Sequence, residues 1–187
     1  MDKSFCYQIK HFQLSCTAAA CSILLGSASL IAAGATAAAG ERHLEQSDID
    51  KLTERTEEQL ERAKEATEKY RDVNVAIAEG FIVGSPDVPG EGYHYLNPRR
   101  LDCNFDPAKP EILLYAFLPG KSELRLVALE YAIPFACMPA NGPPPEGFAG
   151  SADVWHNDEP VPFWTLNAWL YLRNPNGVFT LENPRVP

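Results

Sequence analysis

Hydrophobic and polar positions change character several times along the chain. Thr17 to Ala39 is an uncharged run of Ala, Ile, Leu, Gly and Ser, preceded by Lys3 and Lys10 and closed by Ala37-Ala38-Ala39. That layout predicts an export signal over residues 1–39, cleaved after Ala39 or Ala37. A retained anchor is the alternative, because the uncharged run is long enough to span a bilayer. After Gly40 the chain turns to Glu, Lys, Arg and Ala, with Ser47 and Asp50 placed as a capping box. Ile49, Leu52, Leu60, Ala63, Tyr70, Val73 and Ile77 then recur at three- and four-residue steps. The spacing predicts one long amphipathic helix from about Asp48 to Glu79, stopped by Gly80. Its apolar stripe is thin around Thr53, Thr56 and Gln59, so residues 40–62 are expected to project or to self-associate as a helix. Residues 63–187 are expected to form a single domain.

Beyond the helix the period shortens. Gly84 to Gly92 reads as a loop, leading into the extended segment Tyr93-His94-Tyr95-Leu96-Asn97-Pro98. Glu111–Leu118 and Glu123–Ile133 flank Pro119-Gly120-Lys121-Ser122 as a hairpin, and their near-continuous apolar runs predict cover on both faces. Phe135 to Val161 is a Pro- and Gly-rich flap. From Phe163, alternation places Trp164, Leu166, Ala168, Leu170 and Leu172 on one face of a strand. Phe163, Thr165, Asn167, Trp169, Tyr171 and Arg173 fall on the other, ahead of a turn at Asn174-Pro175-Asn176-Gly177. The expected fold class is α+β: a long N-terminal amphipathic helix packed on a mainly antiparallel sheet, with the flap over it.

Charge and cysteines narrow the setting. The chain has 25 acidic and 16 basic side chains; losing Asp2, Lys3 and Lys10 with the signal leaves 24 and 14, a net of −10. Nucleic acid is therefore not an expected partner, since phosphate binding needs a basic face. Three of the five cysteines lie in the leader, and neither Cys16 nor Cys21 has a lipoprotein setting. Cys103 and Cys137 remain and are expected to pair, as cysteines of exported chains do. Two isolated cysteines do not supply a zinc site.

Common catalytic patterns are missing. Ser47, Ser85, Ser122 and Ser151 lie in no glycine-x-serine-x-glycine elbow, and Gly84, Gly90 and Gly92 have neither the Walker lysine nor dinucleotide spacing. What remains is a metal or acid–base set drawn from His94, His156, Asp158 and Glu159, with Glu130 on the neighbouring hairpin arm. Imidazole and carboxylate would suit a divalent transition metal. The competing reading makes His94 a hydrogen-bonded residue between tyrosines, His156 an exposed flap residue, and the two acids solvated. Tyr93, Tyr95, Trp164, Trp169 and Tyr171, with His94 and Asn167, form either a ligand platform or simply core.

The segments ATEKYRDVNVAIAEGFI, GYHYLNP, DPAKPEILLYAF, LRLVALEYAIP and AWLYLRNPNGVFTLENPRV, in this order, resemble a family of small exported bacterial proteins of unassigned function. The resemblance spans roughly Ala66 to Val186 and implies export without implying a reaction. The family pattern carries histidines before the tryptophan, in a form like HYDLHVWLW, where this chain has Phe163 and Asn167. His94 matches the histidine of the YHY segment and His156 another in the flap, so only these two carry over as candidates. The function expected is an exported, non-enzymatic protein that binds a small molecule or a protein, without a cofactor and without a membrane span once the signal is cleaved. The alternative is a metal-dependent enzyme or metal carrier using His94 and His156.

Overall fold

A computed structural model describes residues 46–157 and 160–187, with side chains from Thr53 onward. The expected signal, residues 1–39, lies outside the described residues, as do Asp158 and Glu159. The body of the molecule is a five-stranded sheet in which chain order and spatial order coincide: β1 (Ile82–Val83), β2 (Tyr93–Leu96), β3 (Ile112–Phe117), β4 (Leu124–Pro134) and β5 (Phe163–Ala168), every neighbouring pair antiparallel. Among the described residues no helix is long and apolar enough to cross a membrane.

The fold expectation built on one long helix needs correction. The chain forms α1 (Gln46–Thr67), a 3-10 turn (Glu68–Arg71) and a short α2 (Val73–Ala78). In an uninterrupted helix the Tyr70 carbonyl would accept from the Asn74 amide. Here the Tyr115 hydroxyl donates to that carbonyl at 2.5 Å, and the Asn74 amide donates to the Asp72 carboxylate at 2.9 Å. A sheet residue thus takes the helix's acceptor, and Asp72 caps a new start. Periodicity cannot see this, because Tyr70, Val73 and Ile77 keep helical spacing across the break. Ile77, expected on the buried stripe, is 51% exposed. Thr56 and Gln59 also differ from a projecting segment: the Thr56 hydroxyl donates to the Ala149 carbonyl, and Gln59 Oε1 accepts from the Ala149 amide at 2.7 Å.

Both faces of the sheet are covered. On the first, Leu113, Tyr115, Leu129, Tyr131 and Leu166 pack with Ala63, Tyr70, Ala76 and Phe81, and with Phe148 of the flap. On the second, Ile112, Leu114, Ala128 and Ala132 pack with Trp169 and Val186 of the C-terminal segment. The continuous apolar runs of β3 and β4 follow from this double burial.

Strand β5 ends at Ala168, five residues short of the alternating run read in the sequence. The cause lies in β4, where Leu114 pairs with Ala128 and Tyr115 with Leu126, leaving Val127 as the extra residue of a bulge. The Val127 carbonyl accepts from the amides of Tyr171 and Leu172 at 3.2 and 3.0 Å, while the Trp169 amide donates to Val178. The chain therefore turns out of the sheet after Ala168. Cys103 and Cys137 form a disulfide that ties the root of the flap to the loop after β2.

Candidate functional site

The site grows from a loop and two strands. Val88 and Gly92 exchange backbone hydrogen bonds of 3.0 and 2.7 Å, which closes a tight turn ahead of β2. Gly92 sits at φ +88°, and a Cβ there would lie 2.4 Å from the Tyr115 carbonyl oxygen. Only glycine permits this approach, and the approach carries Glu91 over the sheet. Strand alternation then turns His94 toward the second face, opposite Leu114, while Tyr93 and Tyr95 turn to the first. Glu130 of β4 faces Ile112 on one side and Asn167 on the other, so it too lies on the second face.

His94, Glu91 and Glu130 meet there. His94 Nε2 lies 3.3 Å from Glu91 Oε2 and 3.4 Å from Glu130 Oε2. On the other side of the ring, Nδ1 is 2.8 Å from the Ser85 hydroxyl, which also donates to the Pro86 carbonyl at 2.9 Å. With its hydrogen committed to Pro86, Ser85 accepts from Nδ1–H, and Nε2–H faces two carboxylates. The hydrogen-bond pattern is that of an imidazolium. Burial would pull the His94 pKa down, but the hydrogen bond to Glu91 and the charges of Glu130 and Glu91 outweigh it and hold the group above its ordinary value.

Beside this cluster is a cavity of about 180 Å³. Ser85, Glu91, His94, Glu130 and Thr165 contribute its polar wall; Val88, Leu96, Ile112, Val161, Phe163 and Leu181 contribute the apolar remainder. Two buried polar atoms nearby have no hydrogen-bond partner among the described residues. They are Thr165 Oγ1, on a residue 2% exposed, and Asn167 Oδ1, on a residue 1% exposed. Asn167 donates one amide hydrogen to the Leu181 carbonyl at 2.7 Å.

Of the expected ligand platform, the structure brings His94 and Asn167 to this face and disperses the rest. Trp164 lies opposite Ile133, and its indole N–H donates to the Met138 carbonyl at 3.0 Å. Trp169 is buried and donates to the Thr180 carbonyl at 2.6 Å. The Tyr171 hydroxyl bonds Thr67 and Lys64 of α1 at 2.8 and 3.0 Å. Tyr95 stacks edge-on against Tyr115, and Tyr93 against Phe117. These rings hold the fold together and line no cavity with His94. His156 is bridged through its backbone to Thr165, so β3, β4 and β5 stand between it and His94. It is not among the residues lining the cavity. Among the described residues no group of three or more His, Cys, Asp or Glu has a metal-holding arrangement.

Glu130 was visible as a lone acid inside LRLVALEYAIP. Glu91, Ser85 and Thr165 gave no such signal, since Glu91 sits in a glycine-flanked loop and the other two are commonplace residue types. No protein-family profile, curated protein sequence or solved structure matches this chain.

Proposed function

We propose that the protein is an exported binding protein whose ligand site is the cavity beside His94, Glu91 and Glu130. The observation that carries this reading is a cavity whose wall joins the charged cluster of His94, Glu91 and Glu130 to an otherwise largely apolar lining, with Thr165, whose buried hydroxyl has no partner among the described residues, on the same wall. A buried polar atom without a partner costs about 1–3 kcal/mol, which a bound ligand's hydrogen bond would recover. The volume sets the size of that ligand. A cavity of about 150 Å³ accepts a single benzene ring, so 180 Å³ suits a body of roughly six to ten non-hydrogen atoms. Export is supported by the Cys103–Cys137 disulfide, a bond kept in oxidising compartments, together with the leader-like residues 1–39.

Fragments of this size, titrated into the methyl-labelled full chain, test the site by NMR. The expected result is shifts concentrated on the methyls of Leu96, Ile112 and Val161. Shifts confined to other surfaces, or no hits across the library, overturn it.

A further inference from the structure

At the charged end of the cavity the partners are already assigned. His94 Nε2 lies 3.3 Å from Glu91 and 3.4 Å from Glu130, its Nδ1 is 2.8 Å from the Ser85 hydroxyl, and Glu130 is engaged beyond His94 as well. Neither ring nitrogen is left to meet an anion, and among the described residues no lysine or arginine lines the cavity. An anionic head would face two carboxylates without a cation of its own. A cationic head would have to compete with His94 for carboxylates that it already holds. These charges are spent on one another and call for no charge on a ligand.

Thr165 differs. It stands on β5 opposite Ala132, on the same face as Phe163, and lines the cavity. The residue is 2% exposed, and its Oγ1 has no partner among the described residues. A buried hydroxyl left in that state is destabilising, so it is the polar group of this wall that a ligand would complete. Around it the lining is apolar, with Val88 from the turn before β2, Leu96 from β2, Ile112 from β3, Phe163 from β5 and Leu181 from the C-terminal segment.

Resting on the reading of this cavity as the ligand site, we propose that the ligand is a small uncharged hydroxyl compound of the phenol class: its hydroxyl bonds Thr165 Oγ1, and its ring lies against Leu96, Ile112 and Phe163. A carbonyl or an ether would take the Thr165 hydrogen but turn its remaining lone pairs toward carboxylates, which only accept. A hydroxyl accepts from Thr165 and has a hydrogen of its own to offer at that end. The apolar lining selects a ring over a polyol.

Four probes of similar size separate the possibilities: p-cresol, p-xylene, benzylamine and benzoate, each titrated into the methyl-labelled full chain and read from the methyl shifts. The expected order is p-cresol tightest, by at least tenfold over p-xylene, with the two charged probes weaker than p-cresol. Thr165→Val, nearly the same shape without the hydroxyl, is expected to reduce the preference for p-cresol over p-xylene at least fivefold while leaving p-xylene affinity within twofold. Thr165→Ser, which restores a hydroxyl, is expected to keep the preference. Should Thr165→Val fail to fold, the order of the four probes on the parent chain decides alone. Binding of p-xylene, benzylamine or benzoate as tight as that of p-cresol, or a preference that survives in Thr165→Val, overturns the phenol class and leaves the cavity reading standing. No binding of any probe also overturns the class, and if xenon pressure leaves the methyls unshifted the cavity reading falls with it.

Discussion

Glu111 and His94 are both held above their ordinary pKa, one by burial and the other by its partners. Glu111 is 3% exposed, and burial raises its carboxyl to about 8 even though the Ala132 amide donates to it at 2.9 Å. A folded-state pKa above the unfolded one means that the native state binds the proton more tightly. Stability is then greatest below the unfolded value and falls as pH rises through the folded one. For Glu111 the window runs from the ordinary 4.5 to about 8 and is worth roughly 5 kcal/mol at about 1.4 kcal/mol per unit. For His94 the loss begins above the ordinary 6.5, as the imidazolium that Glu91 and Glu130 share gives up its proton. Urea denaturation across this range is expected to show stability declining with pH. Glu111→Gln is expected to flatten the lower part and His94→Gln the upper part; a flat wild-type profile would contradict both assignments. Side-chain identity made only part of this legible. An acid inside an apolar run marks a special position, and Glu130 stood out for that reason. The tryptophans misled for the opposite reason, because rings dense enough to suggest a platform each found a backbone carbonyl or a core neighbour.

At the scale of elements, local chemistry decided what periodicity did not. The hairpin was readable because Pro119-Gly120 interrupts two β-rich runs, and β3 and β4 fall where those runs lie. The helix break at Asp72 and the end of β5 were not readable, since each depends on a distant group: the Tyr115 hydroxyl in one case, the bulged Val127 carbonyl in the other. The Asn-Pro pairs carry a clearer message. Asn97, Asn174 and Asn183 each accept from the amide two residues on, at 3.1, 3.0 and 3.1 Å, and each donates to a distant backbone carbonyl. They are buried turn anchors that the sequence marks without saying what they anchor. Within the flap, Asn157 donates to the Ala140 carbonyl at 2.6 Å, and among its described residues no strand forms, so the disulfide at its root matters more. Closing a span of 34 residues restricts the unfolded chain by about 4 kcal/mol in the loop-entropy account. The Cys103→Ser, Cys137→Ser double variant is expected to lose about that much stability in denaturant, while its far-ultraviolet dichroism stays that of the parent. A loss below about 1 kcal/mol would show that the flap is fastened mainly by Trp164 and by the Thr56 and Gln59 contacts.

Across the whole molecule, one sheet separates a helix-covered core from a second core closed by the C-terminal segment, and the candidate site belongs to the second. Its covering layer is also its support. The Asn183 amide donates to the Gly90 carbonyl at 2.8 Å, within the turn that presents Glu91, and Asn183 Nδ2 reaches the Leu172 carbonyl at 3.2 Å. Val186 is 5% exposed among Ile112, Leu114 and Ala128. The helices lie across the other face, so removing the C-terminal cover should loosen the site before it loosens the sheet. Deleting residues 183–187 strips the Gly90 clamp and Val186 together. Amide hydrogen exchange is then expected to accelerate at least tenfold at Glu91 and Gly92, whose amides now bond the Val88 carbonyl, while the central amides of β3 and β4 change far less. Uniform acceleration at all of these positions would mean that the segment stabilises the fold as a whole. No change at Gly92 would mean that the turn is held by its own backbone and by the close packing on Tyr115.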